Sequence, residues 1–548
     1  MPTVTLNRKT FEDLVGKKLP EDQLKDRISM LGTDLDAVTT EAIVVEIFPN
    51  RPDMLSEQGF ARAFSSFIGH KTGLREYDIK KSGYKVIVDK SVSMRPYTAC
   101  AIVKNLKFTD EKIRELMQIQ EKLATTHGRN RMKSAYGIYP ADKIDFPITY
   151  IAKEPSKVKF QPLGFDKEMV AKEVEKVHPK GQAYKQVAKG WKKYPFFIDA
   201  KDHVLCMLPY TNSHDTGKVE LDTTDVFIEC TGTEFDNIMI ALNILITTLS
   251  DMGGEVYSLD IEYPDKMVTT PDLTPSSMTL DLNYVNKRLG LNLNEKDVAS
   301  LLSRMGHDWK SGKVLTPAWR DDIMHPLDLV EDVAIAYGYE NFTPTIPQVA
   351  TIGKEAPVEI FQKKVVELLV GMGLIECNTY HIVNEGTQQK MMNSEIPVVK
   401  LANALNEDYT VVRAWMLPCL MDVLSKNKHH SYPQNIFDLG VVFKKSKEHE
   451  TGVNEFVRLG VAFAHETADY TQSRQCLEYL FKSFGLEGEF RETESDTFIP
   501  GRVARVSVDG VDVAYCGEMD PSVLSNFDLQ VPVSGFELNL TELFKLVQ

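Results

Sequence analysis

The sequence predicts an α+β multidomain protein in four segments: 1–84, 85–268, 269–348 and 349–548. Three observations predict it. A chain of 548 residues is too long for one hydrophobic core, so three or four domains are expected. Strand-like and helix-like runs mix through the first half, and the last two hundred residues read as a helix followed by strands and further helices. Prolines at 264, 271 and 275, and again at 344 and 347, punctuate the chain between these regions.

The first segment opens with a strand and a helix. Pro49 and Pro52 then forbid regular structure around Asn50 and Arg51, placing both in a shaped loop. Ser56 suits the N-cap of a helix running to Phe67, with Gly59 inside it. In the second segment VIVDK, AIVKNLKF, SAYGIY, HVLCML and DVFIECTG read as strands. A long helix from Glu234 to Met252 is expected, with Ile238, Leu242, Leu245, Ile246 and Leu249 at helical spacing and a stop at Gly253-Gly254. The third segment reads as a compact helical module. The fourth reads as the helix FQKKVVELLVGMG, the strand CNTYHIV, and then helices and strands suited to an antiparallel sheet. No internal repeat or low-complexity tract is present.

Composition excludes several classes. Hydrophobic residues make up 43% of the chain, an ordinary globular value. No apolar run is long enough to span a membrane, and the polar start MPTVTLNRKTFEDL is not a secretory signal. The seven cysteines are widely spaced with no C-x-x-C pair, which argues against a zinc site or a disulfide framework and for a cytoplasmic location. A formal charge of −15 opposes a generic nucleic-acid coat, because displacing counterions needs excess Lys and Arg. A local basic stretch remains: Lys185, Lys189, Lys192 and Lys193 beside Tyr184, Trp191 and Tyr194. It reads either as an RNA contact or as a solvated face.

The sharpest local signal is WRDDIMHPLDLVEDVAIAYGYEN (319–341). Pro326 suits the first turn of a helix. Asp328, Glu331 and Asp332 follow at i, i+3 and i+4, so they share a face opposite Val330, Val333, Ala334 and Tyr337. Asp322 can fold back towards them. Four converging carboxylates repel unless a cation sits among them, and an all-oxygen set favours Mg²⁺ over zinc. The competing reading is an acidic first turn that complements the helix dipole, with His325 as a helix-start residue.

That segment closely resembles a module of the phenylalanyl-tRNA synthetase β-subunit family. The resemblance implies that Asp322, Asp328, Glu331 and Asp332 hold one magnesium ion near the contact with an α subunit. It extends over nearly the whole chain. PNRPDMLSEQGFAR (49–62) is similar to the family's segment at the end of the first domain, with Gln58 where a Glu is usual. RPYTACAIVKNLKFT (95–109), QEKLATTHGRNRMKSAYGIY (120–139) and LPYTNSHDTGKVELDTTDVFIECTGTEFD (208–236) resemble the module that hydrolyses mischarged Tyr-tRNA. On that resemblance 85–268 is an editing-like tRNA-interaction module, with Asn212, Glu229, Thr231, Thr233 and Glu234 as editing candidates. Tyr139, Pro140 and Ala141 replace a usual His-Asp-Leu, Lys218 replaces an Arg, and Glu234 replaces an Asp. An editing pocket needs polar groups for the tyrosine hydroxyl and donors for a developing oxyanion; Thr and Asn also serve in ordinary turns and caps.

GLIECNTYHIV (373–383), YTVVRAWMLPCLMDVL (409–424), QNIFDLGVVF (435–444) and FIPGRVARVSVDGVDVAYCGEMDP (498–521) resemble the family's class II catalytic-like domain. The G-x-G-x-G-x-x-R and F-R-x-E arginines that hold ATP are missing, and a triphosphate would lack its charge partners. Residues 349–548 therefore read as an inactive relative of the catalytic fold, and Arg502 as a turn-stabilising group or an anion ligand. The 269–348 module becomes a helical, winged-helix-like module carrying the metal. The resemblance implies an archaeal or eukaryotic-type β subunit in an α2β2 heterotetramer that charges tRNA(Phe) with phenylalanine. The α subunit then carries the aminoacylation site and the ATP chemistry. Two other readings compete. A self-sufficient phosphotransferase lacks a phosphate-binding G-x-x-x-x-G-K-[ST] loop, and a pure RNA-binding or scaffold protein, with 270–345 as a winged-helix-like binder, is disfavoured by the acidic helix. Within the family the alternative is an RNA-binding scaffold subunit without editing activity.

Overall fold

A computed structural model describes residues 2–347, 349 and 352–548. The chain divides into two compact units, Met1–Ile346 and Pro347–Gln548. The expected boundary at 348/349 touches Gln348, which lies outside the described residues.

In the first unit the strand Ala42–Glu46 is the middle of a three-stranded antiparallel sheet, between Thr3–Asn7 and Asp34–Val38. Val4, Leu6, Ile43 and Val45 alternate inwards and meet the helices Arg8–Val15 and Glu57–Phe67, where Phe11 packs on Phe60 and Phe64. Ser56 caps the second of these helices, accepting from the Gly59 amide at 3.0 Å. Gly59 must be glycine: a Cβ there would overlap the carbonyl oxygen of Asp53 in the 50–54 loop.

A large mixed sheet follows. Its centre is Glu255–Glu262, parallel to Ile79–Val88 and antiparallel to Tyr97–Lys104. Next comes Val226–Gly232, antiparallel to both Tyr97–Lys104 and Ser134–Pro140 and buried at all seven positions. Beyond Ile79–Val88 the order runs Ile148–Lys153, Tyr194–Ile198, Val204–Met207 and Thr211–Asn212. The expected long helix is Phe235–Asp251, with Glu234 and Met252 as its caps and Gly253 in a left-handed conformation beyond it. Ile238, Leu242, Leu245, Ile246 and Leu249 are all fully buried.

The segment read as helical holds helices Leu282–Leu289, Glu295–Arg304 and Pro326–Tyr337 around Val285, Val298, Leu302, Leu329, Val330 and Val333. It also holds an antiparallel sheet of Ser276–Thr279, Lys313–Thr316 and Asp308–Lys310. Three- and four-residue strands are too short to show an alternating hydrophobic pattern, which is why the sequence does not announce them.

In the second unit Gln434–Lys445, Val453–Ala464, Val533–Asn539, Val511–Met519 and Phe498–Val508 form a continuous antiparallel sheet. Alternation divides its side chains between two cores. Phe437, Leu459 and Val461 meet the helices Pro357–Gly371, Tyr470–Ser483 and Leu540–Val547. Ile436, Ala462 and Ala464 meet Leu417–Asn427. The expected strand CNTYHIV is mostly irregular: within it only Ile382–Val383 pairs, and Ile375–Glu376 pairs just before it. Thr379 between them is drawn onto Asp438, which accepts from its amide and hydroxyl.

Candidate functional site

The acidic helix begins as the sequence suggests. His325 is its N-cap, accepting from the Leu327 amide, while Asp328 Oδ2 accepts from the amides of Met324 and His325. Asp328 thus completes a capping box, and the dipole reading describes part of its role.

The cation among the carboxylates is a side chain. The Arg320 guanidinium donates to both oxygens of Asp322 (2.7 and 2.6 Å) and to Asp332 Oδ2 (2.9 Å). Asp332 is only 4% exposed, so it lies on the buried side of the helix. Burial by itself would raise its carboxyl, but the charge of Arg320 and a 2.6 Å hydrogen bond from His307 Nε2 outweigh burial and hold it well below the usual carboxylate range. His307 Nδ1 faces the Thr316 hydroxyl at 3.2 Å, and burial keeps the imidazole in its neutral form. Arg320 also has a counterpart from the first segment. Arg51 and Asp53 form a buried two-bond pair (2.8 and 2.9 Å), and each feels the charge of Arg320. The loop 49–54 and the turn 319–322 therefore belong to one charge network, and the sequence reading assigned Arg320 no role in it.

Glu331 is exposed, and its carboxyl is raised by burial first and then by repulsion from Asp332, Asp328 and Asp322. All four acids therefore share one field. Among the described residues no hydrogen bond reaches Glu331 or Oδ1 of Asp328. These free hard oxygens, with no thiol nearby, suit Mg²⁺ over zinc, but Arg320 takes both oxygens of Asp322 and Oδ2 of Asp332, and the four acids do not bring three ligand atoms together. Among the described residues the group whose ligand atoms do come together lies elsewhere, at Asp145, Asp199 and His203. There Asp199 already accepts the amides of Asp145, Lys201 and His203 and bonds the His203 ring, so it closes a turn.

The editing candidates separate into two groups. Glu229 and Thr231 lie on one face of the strand Val226–Gly232, and Asn212 approaches from Thr211–Asn212. The Tyr139 hydroxyl, on the neighbouring strand, donates to Glu229 Oε1 (3.1 Å) and lies 3.3 Å from Asn212 Oδ1. Tyr139 and Glu229 are both 0% exposed. Burial raises the Glu229 carboxyl to about 8 against the opposing pull of Tyr139, Arg95 and Arg131. Glu229 Oε2 and Thr231 Oγ1 are buried without partners. By contrast Thr233 and Glu234 sit exposed past the strand end, where Glu234 pairs with Lys133 at 3.0 Å.

Two arginines frame this pocket that the sequence reading did not single out. Buried Arg95 donates to the carbonyls of Arg131 and Thr231. Arg131 donates to the carbonyls of Pro209 and Tyr210 and stacks on Tyr184 at 4.4 Å. It ends a run in which Arg129, Asn130 and Arg131 all have positive φ (49°, 52° and 63°). Left-handed backbone costs ~1–2 kcal/mol at each such non-glycine residue, and strain of this kind concentrates at working sites. Amide bonds back to Thr126, Thr125 and Ala124 hold the run in place.

In the second unit Arg413 is buried against the sheet, donating to Val441 O, Thr379 Oγ1 and Asp438. Its guanidinium covers Gly440, and Met416 covers Gly460. Glu537 accepts the amides of Met416 and Leu417, capping the start of the next helix. Arg502 pairs with Glu518 at 2.7 Å. In the basic stretch, Lys185, Lys189, Lys192 and Lys193 are exposed, while Trp191 and Tyr194 pack on each other.

Two sequence profiles match the chain: the phenylalanyl tRNA synthetase beta chain CLM domain over residues 343–540 and the tRNA synthetase B5 domain over residues 278–339. The phenylalanine–tRNA ligase beta subunit of Pyrococcus horikoshii is 37% identical over 556 residues and covered in full, as is this chain. That of Archaeoglobus fulgidus is 38% identical over 553 residues, covering 99% of both chains. A crystal structure of an N-terminal fragment of the Pyrococcus horikoshii phenylalanyl-tRNA synthetase beta subunit superposes with a TM-score of 0.59 at 37% identity. It covers 61% of this chain and 99% of the fragment.

Proposed function

The chain belongs to the phenylalanine–tRNA ligase β-subunit family, and from that premise we propose that it supports charging of tRNA(Phe) by an α subunit without charging tRNA itself. The observation that carries this reading is the sheet of the second unit. Over Gly440 and Gly460 the sheet is covered by the chain's own Arg413 and Met416. Arg413 is spent on Thr379, Asp438 and Val441, so it is not free to grip a triphosphate. ATP and phenylalanine are then handled by α, in an α2β2 assembly. The exposed lysines of 185–193 are the candidate contacts to tRNA. The test is aminoacylation by the purified chain with ATP, phenylalanine and tRNA(Phe), with and without α. Charging is expected only with α, and Phe-tRNA formed by this chain by itself would overturn the reading.

Asp322, Asp328, Glu331 and Asp332 would hold one Mg²⁺ near the α contact. When bound, the ion supplies the positive charge that the exposed edge of this ridge lacks. Asp328 fixes the helix start, while Arg320 neutralises the buried side.

A second reading concerns 85–268. The resemblance implies hydrolysis of Tyr-tRNA, and Glu229 and Asn212 are the groups suited to a tyrosine hydroxyl. Both already hold the phenol of Tyr139, which favours a subunit without editing activity. Deacylation of Tyr-tRNA(Phe) by the reconstituted complex should be absent. Hydrolysis by the unaltered complex that falls with Asn212→Ala would restore the editing reading.

A further inference from the structure

We propose that a cavity beside the helix Glu57–Phe67 is a binding site for a small free oxyanion of phosphate size, separate from the acidic helix and from the Glu229 pocket. The cavity has a volume of about 180 Å³, and its lining includes Gln58, Arg62, Lys71, Arg75, Tyr77 and Asp251. It lies wholly within the first unit.

Its charge is unbalanced. Three cations face it, from Arg62, Lys71 and Arg75, against the one carboxylate of Asp251. That carboxylate is fully engaged: Arg62 Nη1 donates to it at 2.7 Å and the Tyr77 hydroxyl reaches both its oxygens at 3.0 and 3.2 Å. Among the described residues neither Lys71 nor Arg75 forms an ion pair; Arg75 donates only to the Lys71 carbonyl.

Residues of the wall also carry unpartnered polar atoms. Arg62 Nη2 is buried with no hydrogen-bond partner, on a side chain only 8% exposed. Gln58 lies one turn earlier on the same helix face. It is 4% exposed, and its Oε1 is likewise buried and unpartnered. A buried guanidinium nitrogen left unpaired is costly, and rotating the Gln58 amide would present a second donor to the same space. Arg62 cannot turn away. Its other nitrogen is held by Tyr77 and Asp251, and its plane stacks over Trp319 at 4.7 Å.

Size limits the ligand. Cavities that enclose organic ligands begin at ~300 Å³, so a nucleotide is too large. A water takes only ~30 Å³, so the space exceeds what one water fills. An arginine with two further cations and an amide matches a compact oxyanion, because charge-assisted N–H···O bonds are the strong ones.

The experiment is calorimetric titration of the purified full chain with inorganic phosphate at low ionic strength. One saturable site is expected. It should vanish in Gln58→Glu, whose carboxylate would supply the missing anion internally, and weaken by about two- to fivefold in Lys71→Met, an exposed contribution. No saturable binding by the unaltered chain, or equal binding by Gln58→Glu, overturns the proposal. Should Gln58→Glu fail to fold, the double variant Lys71→Met/Arg75→Met decides. Lost binding supports the site, and retained binding overturns it.

Discussion

The Tyr139 hydroxyl donates to Glu229 Oε1 at 3.1 Å, from a strand paired directly with the one that carries Glu229. A phenol thus reaches one oxygen of a carboxyl group that is wholly buried between three strands, while the other oxygen stays unpartnered. Gly137 makes room for the pair, since a Cβ there would strike both side chains.

Tyr139→Phe keeps the ring and removes the donor, leaving buried Glu229 Oε1 unpaired. It should cost about 1–3 kcal/mol in urea denaturation. Tyr139→Ala also opens a void, and its cost should rise to about 3–5 kcal/mol. If Tyr139→Phe is as stable as the parent, the hydroxyl contributes nothing to holding the pocket closed.

The Glu229 carboxyl is raised by burial to about 8 from an ordinary value of 4.5. In this window the folded chain holds a proton that the unfolded chain has released. Stability is fully present below the unfolded value and declines as pH rises through the folded one. The slope from this group is about 1.4 kcal/mol per pH unit between roughly pH 5 and 8. Glu229→Gln should remove that slope and stabilise the protein most at the alkaline end. Parallel melting curves of parent and variant across this range would contradict the assignment.

Arg320 carries the opposite case. Asp332 is held low, so its contribution is present above the unfolded carboxyl value and is lost as pH falls towards the folded one. Arg320→Met strands a buried carboxylate and should cost about 3–5 kcal/mol. Chemical denaturation near neutral pH measures it. A loss below about 1 kcal/mol, the level of an exposed pair, would show that Asp332 finds other compensation.

For Mg²⁺, Asp328→Ala should weaken binding and assembly together but also removes a helix cap, worth ~1 kcal/mol. Glu331→Gln isolates the metal term, because Glu331 is exposed and makes no hydrogen bond among the described residues. Its melting temperature should not fall below the parent's, because a carboxylate repelled by Asp332, Asp328 and Asp322 is removed, while Mg²⁺ affinity in the complex with α drops, as read by calorimetry. Unchanged affinity would remove Glu331 from the ligand set.

Gly440→Ala places a methyl against the Arg413 guanidinium. Overpacking a filled site costs about 1–3 kcal/mol, so the second unit should melt earlier. No change would mean that Arg413 can move aside, weakening the argument that this sheet face is occupied.

Local features were legible in the sequence because they depend on neighbours along the chain. The Ser56 cap, the apolar stripe of the helix Phe235–Asp251 and the His325–Asp328 helix start all follow from spacing within a turn or two. Family membership was legible too, since motif order survives across the whole length. What the sequence could not state is which distant charges meet. Arg320 balances Asp332 beside the Arg51–Asp53 pair, and Tyr139 fills the space before Glu229 and Asn212. These pairings join strands and loops far apart in sequence. In a buried site the geometry of desolvated partners, and not residue type by itself, decides whether a carboxylate keeps its charge, loses it or remains free for a ligand.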